Sequence, residues 1–186
     1  MAIKKVDPWW ELPSTADLDG AVPAIIDTPQ GSHNKYKYDP DLGLFKFEKV
    51  LPAGAYFPYN YGYVPGTMAG DGDPVDVLVL MDAPAFVGCL VESRLIGVIK
   101  ARQTERGAKK SERNDRLLAV AVESLKHGAV TSIRQVSPAQ LKEIEHFFIS
   151  YNAVIGKVFK PIGRGGPREA QRLLNAGRAL FRQPNS

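Results

Sequence analysis

The sequence predicts an α+β fold that is mainly β: a small closed barrel of short strands followed by two helices. Three observations lead there. Fourteen prolines and seventeen glycines divide 186 residues into short extended pieces. β-branched runs recur through the first two thirds of the chain, separated by turn residues. After Ser137 the apolar period changes from two to that of a helix.

Taken in order, residues 1–20 read as an arm, with Trp9 and Trp10 as its anchors against the body or a neighbouring subunit. Residues 21–26 form a strand. Lys35-Tyr36-Lys37-Tyr38 and Leu44-Phe45-Lys46-Phe47 both alternate, and Asp39-Pro40-Asp41-Leu42-Gly43 between them is a turn, so the pair is a β-hairpin. Residues 75–81, 90–101 and 117–122 supply three more strands, the last after a polar loop. Ser137-Pro138-Ala139-Gln140 has the form of a capping box with proline at the first helical position. Leu141, Ile144, Phe148 and Tyr151 then recur at helical spacing to about residue 153. Pro167 opens a second helix to about residue 181, with Ala170, Leu173, Leu174 and Leu180 on its apolar side, and Gly163-Arg164-Gly165-Gly166 reads as the hinge between the helices. The whole of 1–186 reads as one domain.

The formal net charge of +4 is weak and spread along the chain, which leaves phosphate-rich ligands open without selecting one. No run approaches the ~18 apolar residues of a membrane span. The first ten residues have no apolar core of signal-peptide type, so a cytoplasmic protein is expected. A single cysteine, Cys89, excludes an intramolecular disulfide and reads as a small packing residue.

The chemistry concentrates in Gly70-Asp71-Gly72-Asp73-Pro74-Val75-Asp76, which places three carboxylates in a compact turn. A solvated acidic turn is the plain alternative. Asp76, however, lies inside an apolar run, Pro74-Val75-Asp76-Val77-Leu78-Val79, where an unpaired carboxylate is expensive. A cation among the three would relieve both costs. Oxygen ligands without histidine or cysteine select a hard ion, Mg²⁺ or Ca²⁺. An EF-hand loop beginning at Asp71 fails, because Asp76 falls where that loop needs glycine.

The stretch from Tyr59 through Asn60-Tyr61-Gly62-Tyr63-Val64-Pro65-Gly66, continuing into the Asp71–Asp76 run, resembles the signature of family I soluble inorganic pyrophosphatases. Weaker resemblance extends from about residue 27 to residue 151. The resemblance implies an OB-type five-stranded barrel with a flanking hairpin and two C-terminal helices. It implies hydrolysis of pyrophosphate to two phosphates with Mg²⁺, two or more ions, and Mn²⁺ as an alternative. Metal ligands fall at Asp71, Asp76, Asp27 and Asn114. The catalytic positions that the resemblance implies are Asp73, as base or as partner of the metal-bound nucleophilic water, with Tyr61 and Lys35. Substrate contacts fall at Lys35, Lys49, Tyr61, Arg116 and Tyr151. It also implies a homo-oligomer. A single-strand nucleic-acid binder on the same barrel is disfavoured, because the aromatic segment runs straight into Asp71–Asp76.

Several matching positions depart from the family pattern. Asp27 stands for a glutamate, Lys37 for a glutamate, Lys49 for an arginine, Gln103 and Asn114 for aspartates, and Asn152 for a lysine. Lysine at 49 replaces a bidentate fork by a point charge. Glu105, Glu112 and Asp115 are candidates to replace a missing carboxylate. Strand alternation counts against Asp115 and puts Glu112 and Asn114 on the face of Arg116. A less negative site holding fewer or weaker metals, with reduced or altered hydrolysis, is the alternative expectation.

Overall fold

A computed structural model describes residues 21–182. The elements are β1 (Val22–Thr28), β2 (Asn34–Asp39), β3 (Leu44–Val50), β4 (Asn60–Val64), β5 (Val75–Leu80), β6 (Cys89–Thr104), β7 (Glu112–Arg113), β8 (Arg116–Ala121), a 3₁₀ turn (Ile133–Gln135), α1 (Pro138–Val154), β9 (Val158–Gly165) and α2 (Pro167–Phe181). The expected N-terminal arm, with Trp9 and Trp10, lies outside the described residues.

Five strands close into a ring in the order β1-β4-β5-β8-β6, with β6 returning to pair β1. Only β5 and β8 run parallel. Closure leaves no free edge within the ring. The strand period of two then sorts side chains. Alternate residues from all five strands, among them Ala24, Val64, Val77, Val91 and Leu117, form one apolar cluster that fills the barrel, and Ala170 and Leu174 of α2 pack onto it. The intervening residues face outward. Leu78, Ile99 and Leu118 meet Leu141, Ile144 and Phe148 of α1 in a second cluster. Each fully buried side chain of this size contributes about 1.5–3 kcal/mol, so α1 is held by its apolar face more than by its cap. The cap is nonetheless formed: Gln140 N donates to Ser137 Oγ (3.1 Å) and Ser137 N donates to Gln140 Oε1 (3.4 Å).

The expected hairpin is β2–β3. Asp39 Oδ1 accepts from the backbone N–H groups of Asp41 (3.1 Å) and Leu42 (3.2 Å), and Gly43 supplies the positive φ of 65° that closes the turn.

Two expectations fail. Gly163–Gly166 is not a hinge: β9 occupies Val158–Gly165 and pairs antiparallel with Val98–Thr104 of β6. Its strand signal was hidden because Pro161 interrupts it, at a register shift, and only Phe159 and Gly165 are buried. Leu180 is 43% exposed, and Gly177 takes its place on the buried face of α2.

Candidate active site

The outward face of the ring carries the polar residues. Asp27 shares a face with Ile25, Asp76 with Leu78, and Arg116 with Leu118. Tyr61 and Tyr63 stand on the adjacent strand opposite Leu78 and Asp76. Where α1 ends and the β2–β3 hairpin folds over, this face becomes a cleft of about 310 Å³. All ten residues singled out from the sequence line it: Asp27, Lys35, Lys49, Tyr61, Asp71, Asp73, Asp76, Asn114, Arg116 and Tyr151.

The acidic loop is stitched to the barrel. Thr67 Oγ1 donates to Val64 O (2.5 Å) and accepts from Val75 N (3.0 Å). Ala69 N donates to Asp73 O (2.7 Å), and Met68 N donates to Gly177 O of α2 (2.9 Å). Asp73 N donates to Asp71 Oδ1 (3.2 Å), and Gly72 takes φ +85°. These bonds satisfy the backbone of a tight turn and direct its carboxylates into the cleft.

Arg116 is buried, with its guanidinium carbon 5.3 Å from the Phe148 ring centre and 5.7 Å from that of Phe159. Its Nη1 is 2.5 Å from Asp76 Oδ2 and also donates to Asn114 Oδ1. Burial opposes its charge, but Asp76 prevails and raises its pKa. The hairpin brings the lysines. A β-bulge pairs Lys35 with Lys49 and Tyr36 with Phe47, leaving Glu48 as the extra residue. Glu48 lies 2.8 Å from Lys35 Nζ and 3.4 Å from Lys49 Nζ, so it separates two facing cations. Burial opposes the charge on Lys35, yet Tyr151, Asp27 and Glu48 raise its pKa to about 12. Lys49 Nζ also sits 5.3 Å from the centre of the Tyr151 ring. Lys37 Nζ reaches both oxygens of Asp73, at 2.9 and 3.0 Å.

Of the carboxylates lining the cleft, two make no ion pair with a described residue. Asp27 is 7% exposed, and its Oδ1 has no hydrogen-bond partner there. Burial pushes its pKa up to about 7, against the pull of Lys35. Asp71 is raised by burial and by Asp76 and Asp73. These all-oxygen, charge-starved groups suit a hard divalent cation. The other motif carboxylates, Asp73 and Asp76, already carry Lys37 and Arg116. Among the described residues no three His, Cys, Asp or Glu side chains converge as a metal-holding group. The donor chemistry fits a metal, with part of the acidic set already neutralised.

The candidate replacements separate. Glu105 lines the cleft but is held by Lys157 (2.7 Å) and Gln103 (2.6 Å). Asp115 points away and accepts from Ala101 N (3.0 Å), as alternation from Arg116 requires. Asn114 faces the cleft, whereas Glu112, expected beside it, is exposed on the short β7 and does not line the cleft. Gln103 and Asn152 line it as amides. Asn152 is buried and donates from Nδ2 to Phe148 O (2.8 Å). Sequence reasoning missed Glu48 and Lys157. Glu48 sits next to Lys49 and would alternate away from it; only the bulge brings both to one side. Nothing local marks Lys157.

Comparison with known proteins agrees with this arrangement. Residues 24–182 match the family model for inorganic pyrophosphatase. The inorganic pyrophosphatase of Geobacillus stearothermophilus is 37% identical over 154 residues, 83% of this chain and 90% of the relative. That of Thermus thermophilus is 37% identical over 157 residues, 84% and 86% of the two chains. The solved inorganic pyrophosphatase structure from Thermus thermophilus superposes with a TM-score of 0.85 at 33% identity, covering 94% of this chain and 99% of that one. The Helicobacter pylori enzyme gives 0.83 at 29% identity, covering 92% and 99%. With its barrel, its cleft and its sequence all pointing the same way, this chain belongs to the inorganic pyrophosphatase family.

Proposed function

We propose that this chain hydrolyses inorganic pyrophosphate to two phosphates with the help of Mg²⁺, for which Mn²⁺ can substitute. The observation that carries the reading is the convergence of the Asp71–Asp76 carboxylates with Lys35, Lys49 and Arg116 in one cleft. Asp71, Asp76 and Asp27 would hold the ions, with the Asn114 amide oxygen as a further donor. When bound, Mg²⁺ supplies charge neutralisation and a more acidic water.

The chain's own groups do the rest. Asp73 accepts a proton from the attacking water; although Lys37 grips both oxygens, each keeps acceptor capacity. The water oxygen bonds to one phosphorus, the bond from that phosphorus to the bridging oxygen breaks, and the bridging oxygen leaves with the second phosphate. Lys35, Lys49 and Arg116 hold the phosphate oxygens and offset the charge that moves to the leaving group. Burial raises the pKa of Tyr61 well above its usual value, so its hydroxyl stays a donor. Tyr151 donates from the end of α1.

A second reading has its own support. Asp73 and Asp76 are each tied to a side-chain cation, which suits a divergent member that binds a metal and a phosphate ligand with weak or lost hydrolysis. Incubation with pyrophosphate and Mg²⁺, with phosphate release as readout and Asp73→Asn as control, separates the two. Release that drops by about 10²–10⁴-fold in the variant supports the enzyme. Ligand binding without release from the unmodified protein supports the second reading. A homo-oligomer is proposed as well; exposed Val154, Val158 and Ile162 near the end of α1 and along β9 support it, and light scattering of the pure protein tests it. A cytoplasmic location, proposed for a chain with one unpaired cysteine, is tested by cell fractionation.

A further inference from the structure

Lys37 stands two residues from Lys35 on β2, so both side chains point from the hairpin into the cleft. Its partner is 36 residues away: Nζ lies 2.9 Å from one oxygen of Asp73 and 3.0 Å from the other. That symmetric grip places one positive charge over a carboxylate at the centre of the acidic loop. The pair is 45% and 52% exposed, and an ion pair so open to water adds little to folding stability. Its consequence lies in the charge of the cleft. Six carboxylates line the cleft against five side-chain cations. Lys37 is thus the difference between a nearly balanced cleft and one that calls for a further cation. Because Asp27 and Asp71 make no such pair among the described residues, the acidic set splits into a part neutralised by the protein and a part left for ions.

We propose that Lys37 is a built-in counter-cation for Asp73, which takes the place of one divalent ion and sets how many ions the cleft holds and how tightly. It is a positioning residue: it acts on the reaction through Asp73 and the ions. The inference rests on the metal-assisted reading of the site, and its test reads metal binding alone.

The experiment is calorimetric titration of the full chain with Mg²⁺, and separately with Mn²⁺ followed by its paramagnetic resonance signal, in the absence of pyrophosphate. The chains compared are the unmodified protein, Lys37→Gln, Lys37→Glu, and each of these with Asp73→Asn. Lys37→Gln is expected to tighten the weakest ion by at least about tenfold, and Lys37→Glu to add one binding event, since a full charge is removed or reversed beside a carboxylate. In the Asp73→Asn background the Lys37→Gln effect is expected to shrink below about twofold, because the gripped carboxylate is no longer charged. Unchanged stoichiometry and affinity in both Lys37 variants overturns the proposal. So does an equal gain with and without Asp73→Asn, which would make Lys37 one diffuse charge among five. Phosphate release is measured separately. Its absence would sink the hydrolytic reading while the metal titrations still decide the role of Lys37.

Discussion

The two walls of the cleft use similar residues to opposite ends. One wall, from β1, β4 and β5, carries Asp27, Tyr61 and the acidic loop. The other is the segment joining β6 to β8, which turns Glu105 and Asn114 to the cleft and keeps Glu112 and Asp115 outside it. In the first wall the backbone of the loop bonds mostly to itself, to Thr67 and to α2, with one oxygen of Asp71 taking a single loop N–H, so its carboxylates remain turned to the cleft. In the second, carboxylates hold the segment together: Asp115 accepts from Ala101 N and from Arg113, and Glu105 is clasped by Lys157 and Gln103. Carboxylate count therefore says little about metal binding. What matters is whether a wall satisfies its backbone by other means, so that its acids are left for a ligand.

Gly62 offers the sharpest way to break the first wall. A Cβ there would lie 1.9 Å from Ile25 O and 2.9 Å from Ile26 Cα, both backbone atoms that cannot rotate aside. Gly62→Ala is expected to cost on the order of 5 kcal/mol, above the ~3 kcal/mol of ordinary overpacking, because β1 must leave β4. Thermal denaturation should register a fall of about 10 °C or more. The matching change in the second wall, Gly107→Ala, meets nothing within 4 Å and suffers only from its φ of +78°. It should cost about 1 kcal/mol. Equal losses at the two sites would remove the contrast between a packed and an open wall.

Asp27 tests the same wall by pH. Its folded-state pKa of about 7 lies above the ordinary 3.8, so between those values the folded state binds the proton more tightly than the unfolded chain. Stability of the metal-free protein should therefore fall as pH rises from about 4 to 7, by up to about 4 kcal/mol from this group. Denaturant titrations of the unmodified protein and Asp27→Asn should diverge across that window, the variant losing less. Added Mg²⁺ should narrow the gap by stabilising the charged form. Parallel curves without metal would mean that Asp27 is ionised at no cost.

Much of this was legible in advance, and the misses have one cause. The strands β5 and β8 and the middle of β6 show as apolar runs because both of their faces are buried there. The acidic turn shows because glycine and proline bracket its carboxylates. β9 stayed hidden because Pro161 and its glycines imitate a hinge, and its strand character comes from pairing with the far half of β6. Glu48 stayed hidden for the same reason: a bulge in the β2–β3 ladder, a property of two strands together, turns it toward the lysines. Asp115 was legible only as one of three candidates. Its neighbour Arg116 fixed its direction, but its bond to Ala101 N needed the fold.

Asn114 asks whether the second wall can be made to serve a metal. It lines the cleft and accepts from Arg116, which also holds Asp76. Asn114→Asp places a charge there without changing shape. The gain should be about tenfold in Mg²⁺ affinity, near 1.4 kcal/mol, because Arg116 offsets part of the new charge. Titration calorimetry reads it directly. No gain would mean that Arg116 absorbs the carboxylate entirely and the second wall is closed to ions.

Asp115 gives the smallest and most specific effect. In Asp115→Asn the side-chain oxygen can still accept from Ala101 N, so the backbone donor keeps its partner. What is lost is the charge facing Arg113, whose side chain is 51% exposed although that of Asp115 is 7% exposed, so water screens the pair from the arginine side. Such a pair contributes about 1 kcal/mol or less, and denaturation midpoints should move accordingly. Mg²⁺ titration should not move at all, because Asp115 faces away from the cleft. Asp71→Asn, an identical change of chemistry in the other wall, should do the reverse: leave stability nearly unchanged, since Asp71 makes no ion pair among the described residues, and weaken Mg²⁺ binding by about tenfold or more. The two variants each exchange one carboxylate oxygen for an NH₂ group in walls that share a cleft. If Asp115→Asn weakened the metal and Asp71→Asn did not, the carboxylates would have been assigned to the wrong walls.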